Sequence, residues 1–142
     1  MRKVISLILA GVFVGVLATG QNAVSHEDKP AQSASPSGVK LENLLKAALE
    51  GADGIEVIVS RVTVPPHTSL PKHWHPGEEF AYVLEGSVVL WQDGKPDVIG
   101  GKGDTMKVPL KQVHTAMTRD EGATILVFRV HEKGKPERVL VD

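Results

Sequence analysis

From Val39 onward the chain is written in short runs of β-branched and aromatic residues, each cut by a glycine or proline turn, and this rhythm limits the fold more than any other feature. Glu56 to Val64 is one such run, ended by Pro65-Pro66. Phe80 to Leu84 and Ser87 to Trp91 flank Glu85-Gly86, and Asp93-Gly94 marks a tight hairpin turn. Asp97 to Ile99 leads into the turn Gly100 to Asp104, and Thr105 to Val108 is stopped by Pro109. Val113 to Met117 and Ala123 to Val130 follow, separated by the polar turn Thr118 to Gly122. Short strands at this spacing predict an all-β barrel or sandwich. The exception is Leu41 to Leu49, whose apolar residues at 41, 44, 45, 48 and 49 predict one short helix with Gly51 as its stop.

The chain begins differently. Arg2-Lys3, an apolar stretch from Val4 to Ala18 and the small residues up to Ser25 have the layout of a secretory signal peptide over residues 1–25. The apolar run is shorter than the roughly 20 residues that a spanning helix needs. Residues 26–38 are rich in Ser, Pro, Ala and Lys without apolar periodicity, which predicts a flexible linker, with the folded domain over residues 39–142. His26 then falls in a solvated tail. These expectations place the mature protein in the periplasm or outside the cell, with no membrane attachment once the signal is cut. Cleavage removes two basic residues and no acidic one, so a total of 16 basic against 17 acidic side chains becomes mildly acidic. Such a balance argues against nucleic acid as a partner. The lack of cysteine excludes disulfides, thiolate metal sites, a thiol nucleophile and a lipoprotein anchor.

Six histidines in a chain without cysteine point to metal chemistry on nitrogen and oxygen. His73-Trp74-His75 places two imidazoles on one side of an extended chain. Pro76-Gly77-Glu78 can turn the chain and bring Glu79 back toward them, and His114 opens a later strand. The set is three imidazoles and one carboxylate from two hairpins. His131, beside Glu132 and Lys133, reads as a surface residue, and Glu78 should point away from Glu79.

The spacing of these residues resembles the two signature motifs of the cupin family. His73-x-His75, three residues, Glu79, six residues and Gly86 is similar to the first motif. Gly103, five residues, Pro109, four residues and His114 is similar to the second. The chain departs from the usual pattern at three positions: His67 and Lys111 stand where the motifs have glycine, and Thr118 where the second has asparagine. None of the three is a ligand position.

The resemblance implies a single cupin-type antiparallel β-barrel, jelly-roll-like, with His73, His75, Glu79 and His114 holding one divalent transition metal. On a six-coordinate ion these ligands leave two positions open for a small oxygen-rich molecule; on four-coordinate zinc they saturate the metal. Three functions follow: a mononuclear enzyme of dioxygenase type in which Glu79 can also act as base, a non-catalytic metal or small-molecule binding module, or a cupin-type isomerase, decarboxylase or lyase. The last needs a further acid or base, for which Tyr82, His67 and Lys111 are the candidates. His67 is either a proton shuttle or fifth ligand at the barrel mouth, or a loop histidine at the Pro-Pro turn. An exported chain takes up its metal after crossing the membrane, where the affinity order favours Cu or Zn over Mn and Fe, with Fe, Mn, Ni or Co as the alternatives. Strand parity places Phe80, Tyr82 and Leu84 outside the barrel with Trp74. That apolar face calls for cover, either by a second copy in a homodimer or by the segment Leu41 to Leu49.

Overall fold

A computed structural model describes residues 36–141, so the expected signal peptide, most of the linker and His26 lie outside the described residues. Within them the chain forms β1 (Lys40–Ala48), β2 (Ile55–Val64), β3 (His73–Trp74), β4 (Gly77–Gln92), β5 (Val98–Gly101), β6 (Thr105–Val108), β7 (His114–Met117), β8 (Ala123–Glu132) and β9 (Val139–Leu140). All pairings are antiparallel, in the order β1-β2-β8-β4-β7-β3-β9, with β5 and β6 also paired to β4. The sheet curls on itself, giving the all-β barrel that the strand rhythm predicts.

Glu85-Gly86 does not separate two strands. β4 runs through it, with an irregularity between Val83 and Glu85 and a positive φ of 71° at Gly86. Before the bend β4 pairs with β6 and β8; after it, with β5 and β7. One strand thereby turns the corner between two walls of the barrel, which is what a bulge accomplishes. The apolar core lies beside this corner, in Val62, Val64, Val83, Val88, Ala123, Ile125 and Val127.

The expected helix over Leu41 to Leu49 is instead β1, the exposed edge strand paired with β2. Its register shifts between Asn43 and Leu45. Leu41 and Asn43 face the barrel interior, whereas Leu45 lies opposite Val59 on the outer face. A bulge inserted into a period-2 pattern yields apolar spacings of three and four, which imitate a helix. Because β1 extends the sheet in its own plane, it does not cover the outer face. That face carries a row, Leu45-Val59-Phe128-Phe80, across four strands, with Tyr82 beside it. Trp74 lies elsewhere, on β3 between β7 and β9.

Among the described residues His67 and Lys111 are the non-glycine residues with positive φ, at 51° and 57°. These are the two positions where the cupin motifs carry glycine, so the backbone keeps the left-handed turns without it. Thr118 holds the first of them: its hydroxyl donates to the Pro65 carbonyl and accepts from the Thr68 N–H at 3.1 Å. A side chain in this conformation costs about 1 kcal/mol, partly offset by the extra chain entropy that a glycine loses on folding. Lys111→Gly is therefore expected to raise stability by about 0.5 kcal/mol in urea unfolding, and a loss would contradict the strain argument.

Candidate metal centre

The three histidines come from two short strands. β3 is only His73–Trp74, and its His73 lies opposite His114 at the start of β7. His75 follows β3 directly, and Pro76-Gly77 then turns the chain into β4. Gly77 is required here, because a Cβ would fall 2.2 Å from the Cβ of His131 on β8. Two residues later Glu79 faces inward, opposite Arg129 on β8. The sequence-expected set is thus brought together inside the barrel, His73, His75 and His114 from the β3–β7 side and Glu79 from the part of β4 that pairs with β6 and β8.

The imidazole rings lie with centroids 4.4–5.1 Å apart, and one nitrogen of each comes within 4.8 Å of the others. All three histidines are buried. Their Nδ1 atoms face backbone carbonyls: His73 that of Pro71 at 2.7 Å, His114 that of Gln112 at 2.9 Å, and His75 that of Glu137 at 2.5 Å. A carbonyl can only accept, so each Nδ1 carries the proton, and in the neutral ring each Nε2 keeps its lone pair. The Nε2 atoms of His75 and His114 approach the carboxylate of Glu79, at 2.9 Å and 3.8 Å.

The His75–Glu79 approach identifies what the cluster accepts. His75 Nε2 is a buried nitrogen without an aligned hydrogen-bond partner, although the carboxylate oxygen is in reach. A lone pair facing an ionised carboxylate at that distance repels it unless a cation lies between them. A divalent transition metal would fill that place, with all four groups able to serve as ligands. The donor set therefore fits a metal.

Burial sets the electrostatics of the cluster. It holds His73 down at about 4, with the neighbouring His114 acting in the same direction, and it lowers His114 as well. Burial alone would push the Glu79 carboxyl up, but His75, then His114 and Arg129, outweigh it and hold the group at about 2. Burial therefore favours unprotonated imidazole at His73 and His114, and Glu79 stays ionised, the forms that bind metal. The same shifts affect folding. Below the ordinary histidine value of 6.5 the unfolded chain takes up a proton on His73 that the folded protein refuses until about 4. Metal-free protein should thus lose stability as pH falls from 6.5 to 4, by about 3 kcal/mol from His73 alone. Urea midpoints that stay flat across this window would contradict the burial.

The cavity beside the ligands is small, about 80 Å³. Its other walls are aliphatic, from Leu41, Val62, Leu70, Ala81, Val88, Leu90, Met106, Val108, Ala116, Ile125 and Val127, with Arg129 and Arg138 as the charged members. Of the further candidates none lines it. His67 is largely exposed, its Nε2 3.6 Å from Asp120, and its backbone is bonded to Arg119 beyond the far end of β7. Tyr82 is on the outer face, Lys111 is exposed, and Glu78 pairs outside with Lys107 at 2.7 Å.

Two inward residues escape the motif-based reading. Arg129 is buried beside Glu79, and His131, expected on the surface, is buried with its Nε2 3.7 Å from Glu56. Both continue the inward series Ala123, Ile125, Val127 along β8. Strand parity, carried two residues further, finds them. The adjacent charges at Glu132 and Lys133 belong to the end of the strand and the turn after it.

A family model described as a cupin domain matches residues 60–129. Nothing matches among curated proteins. Among solved structures, the chain is similar to the DMSP lyase DddQ from Ruegeria pomeroyi, at 25% identity and a TM-score of 0.60 over 72% of this chain. The match covers 51% of that protein, so the chain spans about half its length. A cupin-like protein from Thermotoga maritima matches at 21% identity and a TM-score of 0.59, covering 72% of this chain and 75% of that one. A cupin 2 conserved barrel domain protein from Salinispora arenicola does so at 21% and 0.53, covering 67% and 76%. The matched segment contains the corner strand and all four candidate ligand residues, and on these grounds the chain belongs to the cupin superfamily.

Proposed function

We propose that the chain is a mononuclear metal-dependent enzyme of oxygenase type acting on a small aliphatic molecule through its oxygen atoms. His73, His75, His114 and Glu79 are the ligands. A bound metal would supply Lewis acidity and open positions for substrate oxygens. The observation that carries the oxygenase reading is the composition of the cavity wall. Among the described residues, apart from the four ligand residues, it is lined by two arginines and aliphatic side chains, with no further carboxylate, imidazole or lysine. Chemistry carried by metal and dioxygen needs no such group.

The size of the cavity narrows the substrate. At about 80 Å³ it is about half the roughly 150 Å³ that accommodates a benzene ring. A short α-hydroxy acid suits this space and the two arginines; a flavonol does not. Oxygen uptake with the small ligands, lost in His114→Ala, is the expected result. Tight metal binding with no turnover on any of them would favour the binding module instead.

The likeness to the DMSP lyase at 25% identity supports a second reading, elimination by a lyase. Glu79 would then have to serve as the base, since Tyr82, His67 and Lys111 are outside the cavity. Olefin release from a β-substituted carboxylate without oxygen consumption would select this reading.

Copper or zinc is the metal we expect in exported protein, and Mn or Fe dominating there would contradict export before loading. The exposed row of Leu45, Phe128 and Phe80 supports a homodimer through the outer face. A monomer in sedimentation at micromolar concentration would refute it.

A further inference from the structure

The short segment between β8 and β9 carries Glu137, whose side chain bonds two strands of the barrel. Glu137 accepts from Arg129 Nη1 of β8 at 3.2 Å and from Asn43 Nδ2 of β1 at 3.1 Å. Arg129 Nη2 donates to Ser60 of β2 at 2.6 Å, and Ser60 donates to Asn43 Oδ1 at 2.6 Å. The four side chains close a ring of hydrogen bonds over the inner wall. The carbonyl of the same Glu137 accepts the Nδ1 proton of His75. The other two histidines take their carbonyl from a residue two positions earlier in their own strand region, Pro71 and Gln112. His75 alone depends on a segment 62 residues away.

From this geometry we infer that Glu137 is a positioning residue of the metal centre: its carboxylate, held by Arg129 and Asn43, fixes the peptide whose carbonyl sets the tautomer and orientation of His75. The inference rests on the metal-site reading above. Outer partners of this kind are worth 10–100-fold in metal affinity, because an imidazole free to exchange its proton between nitrogens or to rotate presents its lone pair less often. Glu137 is suited to the part because its side chain is only partly exposed and ties the turn to two strands at once.

The test uses full-chain protein stripped of metal, with zinc affinity read by competition against a chromophoric chelator. Glu137→Ala should weaken zinc binding about 10–100-fold, and Glu137→Gln, which keeps an oxygen for Arg129, should lose less. A readout independent of metal is the imidazole nitrogen spectrum of His75, assigned by its loss in His75→Gln. Wild type should show the Nδ1–H tautomer, and Glu137→Ala a mixture of the two. A general loss of structure would lower the thermal midpoint without producing the mixture in the folded population. Zinc affinity within twofold of wild type in Glu137→Ala, or an unchanged tautomer, would overturn the inference. If Glu137→Ala does not fold, Glu137→Gln decides by the same two readouts, with no change in either counting against it. Should wild type bind no zinc, the metal-site reading fails, and the tautomer still decides whether Glu137 positions His75.

Discussion

Alanine at His75, His114 or Glu79 is expected to weaken binding of a divalent transition metal by more than about 100-fold, beyond what loss of an outer partner costs. Each substitution removes one of four donors, and among the described residues the aliphatic cavity behind them offers no other metal-binding group. Alanine at His67 should leave the affinity within about twofold. Its ring is exposed and paired with Asp120, and its backbone belongs to the loop pinned by Thr118. Chelator competition on the four variants separates these outcomes. Equal losses in all four would make His67 a ligand and require the loop from Pro65 to Thr68 to reach the site.

Arg129→Met should cost about 3–5 kcal/mol of stability in the metal-free protein, the usual effect of breaking a buried ion pair from one side. The guanidinium is buried, pairs with Glu137, bonds Ser60 and stands beside Glu79. Without it the inner wall keeps the Glu79 carboxylate and loses the nearest fixed positive charge. The carboxyl of Glu79 should then rise from its low value, since Arg129 is one of the groups that hold it down. Urea unfolding at neutral pH measures the first effect, and the pH dependence of stability below pH 5 the second. A change under about 1 kcal/mol would mean that Arg129 is compensated by water and holds nothing in place.

What the sequence made legible follows from how local each signal is. His73 and His75 are one strand repeat apart, so their common direction is fixed by the chain itself. Glu79, reached through the turn that Gly77 permits, and His114, placed by the second motif, carry recognisable spacings. The outward direction of Phe80, Tyr82 and Glu78 follows from the same parity. The helix over Leu41 to Leu49 failed because a bulge between Asn43 and Leu45 hides the strand period, and nothing in the local sequence announces a bulge. The outer face is therefore more open than a covering helix would leave it. Glu137 was beyond reach for a different reason. Its role depends on Asn43, Ser60 and Arg129, which approach only after β1, β2 and β8 have paired. Arg129 and His131 were within reach of the parity argument but lay past the second motif.

The metal itself is the central test. Crystals of the protein loaded with zinc or copper, measured at the absorption edge of that metal, locate it by anomalous scattering. One peak per chain within bonding distance of Nε2 of His73, His75 and His114 and of a Glu79 oxygen is the result expected, with each Nδ1 still on its carbonyl. No peak at this cluster, or a peak only at another site of a folded protein that leaves the four side chains as they are, would contradict the account.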